Sequence, residues 1–395
     1  MKCSLLALPL VCVVFASAAG CVIEVSDSGL RFDGIDFGGV SLNENAQRSE
    51  THALELGQGE SLTLDTSYGD IEVAAASEGA SELRATLHAS GRTLEEAQAV
   101  LARYQVVIER GPNGPSARLV GEPLRLHEDG THLVLSAHVD YSATVPAGTP
   151  LCATTQSGDI RTTGELGRCH LETEYGTIAL DAARGDAIAH SSSGDVSAGR
   201  VEGGRIELES DYGDVSLREA RAERLTCKTS SGNVTLEAAE AEALELSTDY
   251  GNVHASRAIG DLRAHSDSGD VRLHGVRGSI VADSDYGTVE VDGELSGLRA
   301  KSGSGDVRVR AEEKSRADSG WTLASDYGTV VLRAPEGFGC VLDAKTDYGS
   351  VECDFPITIE AGKKKGEGRL KGTVGSGGGT VKLSSGSGNV ALKKL

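Results

Sequence analysis

Hydrophobic and polar positions alternate along most of this chain in short blocks that meet at a recurring glycine. The segment "ESDYGDVSLREARAERLTCKTSSGNVTLEAAEAEALELSTDYGNV" shows the pattern three times, around Gly213, Gly232 and Gly251. Counted from the residue before each glycine, a large apolar residue lies six positions back, Ser or Thr lies two back, and Val or Ile lies three ahead. The alternation predicts two short strands, each with one buried face, joined at a glycine corner.

The motif recurs with a nearly constant period. From Gly158 to Gly305 every step is 18 or 19 residues, and related corners lie on either side of that segment. The motif glycines are Gly69, Gly158, Gly176, Gly194, Gly213, Gly232, Gly251, Gly269, Gly287, Gly305, Gly328, Gly349 and Gly388. A unit this short cannot bury its apolar face alone, so neighbouring units must stack. The sequence therefore predicts an all-β protein, a parallel β-solenoid (β-helix) of 18- to 19-residue motifs.

The residue before the glycine alternates between Ser and Tyr. The alternating positions are Ser157, Tyr175, Ser193, Tyr212, Ser231, Tyr250, Ser268, Tyr286 and Ser304. Because like residues commonly form columns in stacked coils, we predict two motifs per coil, with the Cα atoms of Tyr212 and Tyr250 about 5 Å apart. The alternative is a one-motif coil in which Tyr and Ser interleave and the same atoms lie about 10 Å apart.

The chain divides into four predicted segments. Residues 1–20 read as an export signal and residues 21–50 as a tether. Residues 51–150 hold a first coil and a small α+β cap, and residues 151–395 form the solenoid repeat domain. Within the cap, "RTLEEAQAVLARYQ" predicts an amphipathic helix with Thr93 as its N-cap and Glu96 three residues later.

The N-terminal segment predicts the location of the protein. The ending "SAAGC" resembles a bacterial lipobox, in which the cysteine, here Cys21, is acylated. We therefore expect an exported lipoprotein of the cell envelope, placed at the outer membrane and facing the periplasm or the surface. Cleavage after Ala18, which would leave a soluble secreted protein, is the alternative.

The charge of the chain limits its partners. The sequence has 38 Lys and Arg against 59 Asp and Glu, a net charge of −21, which argues against binding to nucleic acid phosphates. We expect contact with the membrane through the lipid, and with an envelope protein or glycan. Asp residues recur before Tyr at Asp211, Asp249, Asp285, Asp326 and Asp347, and after Gly at Asp159, Asp195, Asp214, Asp270 and Asp306. They could hold calcium, but we favour hydrogen bonding at the turns, and predict no metal or cofactor.

The tyrosine column is the candidate ligand strip. Its members are Tyr175, Tyr212, Tyr250, Tyr286, Tyr327 and Tyr348. The rings could stack on sugars, although we favour the interpretation that they fill a corner and stack on one another. Cysteines are candidates for disulfides, Cys152 with Cys169 and Cys340 with Cys353, while Cys227 falls in a buried column.

Longer stretches resemble a known family. "VDYSATVPAGTPLCATTQSGDIRTTGELG", the serial "SGDV" and "DYGTV" turns and the closing "GGGTVKLSSGSGNVALKKL" are similar to the bacterial "putative adhesin" family, a domain of unknown function. The resemblance covers roughly residues 50 to 395 and implies a cell-envelope β-helix, without assigning any functional residue.

Three functions follow as hypotheses. The first is a lipid-anchored, adhesin-like structural and interaction module without catalysis. The second is a glycan-binding envelope protein that uses the tyrosine column. The third is a carbohydrate-active β-helix enzyme, which would need one localised cluster of acid and base residues; the acidic residues instead recur once per turn, so we predict no catalytic residues.

Overall fold

The computed structural model describes residues 23–26, 29–32, 42–76, 81–128, 131–359 and 368–395. Within them lie 33 strands and one α-helix. The chain forms two compact units, the first made of Met1–Glu50, Ala85–Val107 and Leu119–Val139, and the second of Thr51–Arg84, Ile108–Arg118 and Asp140–Leu395. No helix in this described part of the chain is long and apolar enough to cross a membrane.

The elements follow one another from the N-terminus to the C-terminus. Those of the first part are β1 (Ile23–Ser26), β2 (Gly29–Phe32), β3 (Glu44–Ala53), β4 (Leu62–Tyr68), β5 (Ile71–Ala76), β6 (Glu82–Gly91), α1 (Leu94–Leu101), β7 (Tyr104–Gly111), β8 (Gly114–Gly121), β9 (Leu124–Glu128), β10 (Thr131–Leu135), β11 (Ala137–Pro146), β12 (Leu151–Ser157), β13 (Ile160–Thr163), β14 (Glu165–Leu166), β15 (Cys169–Tyr175) and β16 (Ile178–Arg184). Those of the second part are β17 (Ala187–Ser191), β18 (Val196–Ser210), β19 (Val215–Thr229), β20 (Val234–Thr248), β21 (Val253–Ser256), β22 (Ala258–Ser266), β23 (Val271–Ser284), β24 (Val289–Ser302), β25 (Val307–Ala311), β26 (Trp321–Ser325), β27 (Val330–Ala334), β28 (Cys340–Thr346), β29 (Val351–Cys353), β30 (Ile357–Thr358), β31 (Arg369–Val374), β32 (Thr380–Ser385) and β33 (Val390–Lys394).

The first unit contains an antiparallel sheet, in the order β2-β1-β10-β9, and the helix α1. The helix begins where the sequence predicts. The Thr93 side chain accepts a hydrogen bond from the backbone N–H of Glu96 at 3.2 Å, and the Glu96 carboxylate accepts one from the backbone N–H of Arg92 at 3.0 Å. The Arg92 guanidinium also bonds this carboxylate and lowers its pKa. The predicted helix is therefore confirmed, while its role as a cap on the solenoid stays a prediction.

The second unit is a parallel β-solenoid, as predicted. In each full coil a strand leaves one glycine corner, bends, and runs to the next corner, as β19 and β20 do. These two strands pair in parallel with Val215 opposite Val234 and Leu225 opposite Leu244. The side chains of Val215, Val234 and Leu225 are completely enclosed, so the apolar columns of the sequence form the core.

One motif makes one coil, and the prediction of two motifs per coil is wrong. The backbone N–H of Ser231 donates to the carbonyl of Asp211, and the N–H of Tyr250 donates to the carbonyl of Ser230, each at 3.0 Å. Ser231 therefore lies between Tyr212 and Tyr250. Since adjacent strands are about 4.8 Å apart, the two tyrosine backbones are about 9.6 Å apart. Like stacks on like in the buried columns but not at this corner.

The glycine of each corner is required by the coil beneath it. A Cβ placed on Gly251 would lie 1.9 Å from the carbonyl oxygen of Gly232, and one placed on Gly232 would lie 2.0 Å from that of Gly213. The φ angles at these glycines lie outside the left-handed range. Close approach of stacked backbones, rather than an unusual φ, is what excludes a side chain.

A buried hydroxyl joins most corners to the neighbouring coil. The Thr248 hydroxyl donates to the carbonyl of Gly232 at 2.8 Å and accepts from the N–H of Gly251 at 3.1 Å. Ser210 and Ser266 make the same two bonds in their own coils. Only a hydroxyl can donate and accept at one atom in so small a space, which explains the Ser and Thr column of the sequence.

The last strands of the chain do not lie at the end of the stack. Val390 of β33 pairs with Val330 of β27 on one side and with Val351 of β29 on the other. In the same way β32 lies between β26 and β28. The coil made by β32 and β33 is therefore inserted between two coils that precede it in the sequence.

The other end of the solenoid also departs from chain order. Ile71 of β5 pairs with Ile160 of β13 on one side and with Tyr141 of β11 on the other. The early repeat formed by β4 and β5 thus lies between strands that follow it in the sequence. Its membership of the solenoid, predicted from the motif at Gly69, is confirmed.

Replacing a corner glycine should destabilise the solenoid. In Gly251→Ala the new methyl overlaps the Gly232 carbonyl, so we expect a loss of unfolding free energy of at least about 1–3 kcal/mol, the usual cost of overpacking. Gly337→Ala is the matched control because no atom lies within 4 Å of its Cβ position. Urea denaturation of both variants measures the difference in stability. Equal unfolding midpoints for Gly251→Ala and Gly337→Ala would contradict the conclusion that close stacking of the backbones requires glycine at the corner.

The order of the last coils can be tested by cross-linking. Ala324 and Ser384 are register neighbours, and so are Ser384 and Lys345, so Ala324 and Lys345 lie two strands apart. Because a disulfide requires Cα atoms within about 7 Å, Ala324→Cys with Ser384→Cys should cross-link, and Ala324→Cys with Lys345→Cys should not. Peptide mapping after mild oxidation distinguishes them. Stacking in sequence order would give the opposite result.

Candidate functional site

The Tyr and Ser corners form one continuous line along the solenoid, here called the tyrosine edge. In spatial order its members among the described residues are Tyr68, Ser157, Tyr175, Ser193, Tyr212, Ser231, Tyr250, Ser268, Tyr286, Ser304, Tyr327, Ser387 and Tyr348. Tyr and Ser alternate without a break. The edge spans about 58 Å, twelve strand spacings of about 4.8 Å.

The inserted coil preserves this alternation. In the sequence Tyr327 and Tyr348 occupy successive corners with no Ser corner between them. In the structure the backbone N–H of Ser387 donates to the carbonyl of Asp326 at 2.9 Å, and that of Tyr348 donates to the carbonyl of Gly386 at 3.0 Å. The C-terminal coil therefore places a Ser corner at the one point where chain order would have put two Tyr corners together.

The tyrosine rings project into solvent, so the interpretation that they fill a corner is wrong. The five from Tyr212 to Tyr348 are 70 to 79% exposed, and Tyr68 and Tyr175 are 38% and 41% exposed. The interior of each corner is already occupied by the buried hydroxyl and by the glycine contact, which leave no room for a ring. With about 9.6 Å between successive rings, a gap lies over each Ser.

The Asp and Asn residues after the glycines bind the neighbouring coil. The Asp214 carboxylate accepts the backbone N–H of Asn233 at 2.7 Å, and the Asn233 side-chain oxygen accepts that of Asn252 at 2.9 Å. Asp270 bonds the N–H of Thr288 in the same way at 2.7 Å. The hydrogen-bonding role favoured from the sequence is present, although the partner is the next coil rather than the local turn. Within the described ranges, no group of three or more His, Cys, Asp or Glu side chains is arranged to hold a metal ion.

Neither predicted disulfide is formed, and the five cysteines of the described residues are free thiols. Cys152 is the register partner of His170, whereas Cys169 is the partner of Leu151. Because successive residues of a strand face opposite sides, Cys152 is partly exposed while Cys169 is buried, and the two cannot pair. Burial raises the pKa of the Cys169 thiol to about 12.

Cys340 and Cys353 are also not bonded to each other, and Cys227 is part of the core. Burial, with a smaller contribution from the nearby charge of Cys353, raises the pKa of Cys340 to about 12. Cys227 is completely buried, as predicted for a small apolar residue, and burial raises its pKa to about 12. Thiols with pKa values this high are poor nucleophiles at neutral pH.

A shallow groove lies on another side of the coils. Its volume is about 660 Å³, and its charged lining residues include Arg200, Arg218, Glu219, Glu237 and Arg257. None of the three arginines forms an ion pair within 4.0 Å with a carboxylate of the described residues. Acidic and basic side chains meet in this groove, where Arg200, Glu219 and Ala238 are register neighbours in successive coils.

Two residues, Cys21 and Tyr68, remain to be placed relative to the predicted site. Cys21, the predicted lipidation residue, lies outside the described residues. Tyr68 is part of the tyrosine edge but was not predicted to be, although its own "SYGD" motif carries the same signal as the later corners.

The fold and the exposed edge define a class of protein, a parallel β-solenoid that presents a regular aromatic surface. The model of the Toastrack DUF4097 family matches residues 138–292 and again residues 219–393. The chain belongs to this family, and its resemblance to an adhesin-like domain of unknown function is confirmed.

Solved structures with some likeness include a "putative adhesin" from Parabacteroides distasonis, at 9% identity and a TM-score of 0.36, over 89% of this chain and 99% of that one. A "putative adhesin" from Bacteroides fragilis is similar at 11% identity and a TM-score of 0.24, over 89% and 97%. No curated protein matches the chain.

The exposure of the rings predicts their contribution to stability. Tyr250→Ala should change the unfolding free energy by less than about 0.5 kcal/mol, as surface substitutions usually do. Leu246→Ala, in the same coil but completely buried, should cost about 2–5 kcal/mol. Urea denaturation of the two variants gives the comparison. A loss of unfolding free energy in Tyr250→Ala as large as that in Leu246→Ala would mean that the ring stabilises the fold.

Proposed function

We propose that this protein is an exported, lipid-anchored module of the bacterial cell envelope that binds a linear glycan along its tyrosine edge and carries out no catalysis. The anchor is Cys21, and the outer membrane is its location. The partner is a polymer of the envelope rather than a small molecule, because the contact surface is a line about 58 Å long.

One observation carries the proposal, the exposure of five tyrosine rings by 70 to 79% at equal intervals along one edge. Single exposed apolar residues are common on protein surfaces, but an ordered line of aromatic rings is not needed for folding. Tyr has an apolar face and a polar tip, which suits it to a wet interface where it can stack on a sugar ring and donate a hydrogen bond.

The regular spacing supports a repetitive ligand. Each Tyr offers only a weak contact, but a polymer held at one ring is presented to the next at high effective concentration. A row of seven rings can therefore bind a chain firmly although no single ring does. A rigid solenoid preserves this spacing because its glycine contacts and buried hydroxyls fix the register of every coil.

The anchor can be tested separately from binding. Cys21→Ala should leave the protein exported but move it from the membrane fraction to the soluble fraction, because the acyl chains would be missing. Fractionation of envelopes with an antibody to the protein measures this. Membrane association that persists in Cys21→Ala would remove the lipid from the account.

Binding through the edge predicts a selective loss. Tyr250→Ala combined with Tyr286→Ala should weaken binding of a linear glycan roughly tenfold or more, on the order of 0.7 kcal/mol or more per ring. Ile259→Ala is the matched control, since Ile259 is exposed by 40% and lies off the edge. Isothermal titration with 1,4-linked oligosaccharides measures both, and equal affinities would contradict the proposal.

A further inference from the structure

The tyrosine edge carries a second repeating group. Six of its seven tyrosines follow directly after a carboxylate residue, and all six of these residues are exposed. They are Glu174, Asp211, Asp249, Asp285, Asp326 and Asp347. Each of these rings therefore has a carboxylate beside it, and such pairs recur on every second coil, with about 9.6 Å between one pair and the next.

These carboxylates differ from the acidic residues on the other side of the glycine. Asp270 and Asp306 each form an ion pair with an arginine two residues later, Arg272 and Arg308, both at 2.5 Å. In the described part of the chain, none of the six carboxylates before Tyr has a Lys, Arg or His nitrogen within 4.0 Å. They are also not used as hydrogen-bond acceptors for the next coil, as Asp270 is.

The corner residues of the edge themselves carry no positive charge. The four residues of each corner, from the one before Tyr or Ser to the one after Gly, include 13 acidic residues over the 13 corners and no Lys or Arg. A second copy of this chain would bring the same acidic line against the edge and would be repelled. Charge complementarity favours a cationic ligand, and an aromatic face next to a carboxylate is a favourable site for an amine.

The period of the edge indicates the kind of polymer. A peptide in a β-strand returns the same face every two residues, about 6.8 Å, and so does not match a repeat of about 9.6 Å. A polyproline II peptide repeats every three residues, about 9.3 Å, and is the cationic polypeptide that poly-lysine represents in the test below. A β-1,4-linked glycan in which alternate units are flipped returns the same face every two sugars, and the edge repeat is on the scale of such a disaccharide. The gap over each Ser leaves space for the intervening sugar unit.

We propose, on the basis of the glycan-binding function above, that the tyrosine edge recognises a linear glycan that carries free amines, of the 1,4-linked glucosamine type. The ring of each Tyr stacks on one sugar, and the carboxylate before it pairs with an ammonium group of the chain. The tyrosines supply contact with any flat sugar, and the free carboxylates select the amine-bearing one.

The test compares two oligosaccharides of equal length, 1,4-linked glucosamine and its N-acetylated counterpart, on the detergent-solubilised full chain by isothermal titration. The amine-bearing chain should bind at least tenfold more tightly, and the difference should disappear at high salt because the pairs are exposed. Asp249→Asn with Asp285→Asn should lower affinity for glucosamine about tenfold and leave the acetylated chain unaffected. Asp261→Asn with Asp318→Asn is the control, which changes the net charge equally at exposed positions away from the edge.

Each other outcome overturns a different statement. If both oligosaccharides bind equally, with loss in the tyrosine variants but not in the aspartate variants, the amine inference is wrong and the proposed function stands. If neither binds, the proposed function fails as well. If poly-lysine binds as tightly as the glucosamine chain with the same dependence on Tyr and Asp, the ligand is a cationic polypeptide and the glycan assignment is wrong.

Discussion

The structure depends on the contact between the corner glycine of one coil and the carbonyl oxygen of the corner glycine in the coil below. A Cβ there would come within about 2 Å of that oxygen, as at Gly251 over Gly232. No other residue can be accepted, so every motif must place its glycine in the same column. The buried hydroxyl, such as that of Thr248, donates a hydrogen bond to the same carbonyl and fixes the position of the corner relative to the neighbouring coil. From these two contacts follow the register of the strands and the regular spacing of whatever precedes the glycine.

The exposed residue before the glycine is therefore free to vary without affecting the fold, yet it does not vary freely. Tyr and Ser alternate through every described corner from Tyr68 to Tyr348, including the place where Ser387 enters from the end of the chain. Packing gives no reason for this order, because the rings are in solvent. A requirement for rings two coils apart, with space between them, explains both the alternation and the inserted coil.

Much of the fold could be predicted from the sequence because the buried columns repeat strictly. The stacking of Val215 on Val234 follows from the periodicity. The start of the helix at its N-cap residue, Thr93, follows from local hydrogen-bonding chemistry. The number of motifs per coil could not be predicted in this way, since a coil of one motif and a coil of two both place Val over Val. The assumption that like stacks on like failed at the corner because exposed Tyr and Ser have no shared packing surface. The position of the last coil was also hidden, although the adjacent Tyr corners at Tyr327 and Tyr348 were a signal that a Ser corner belonged between them.

The alternation itself can be altered without changing the coil. Deletion of residues 215–233 removes one coil and places Tyr212 directly against Tyr250, whereas deletion of residues 215–252 removes two coils and leaves Tyr212 next to Ser268. The decisive measurement is the affinity of the two folded proteins for 1,4-linked glucosamine and N-acetylglucosamine oligosaccharides. The account predicts that the one-coil deletion binds more weakly, although it keeps all seven tyrosines. Affinity that simply follows the number of tyrosines, with the two-coil deletion weaker, would contradict it.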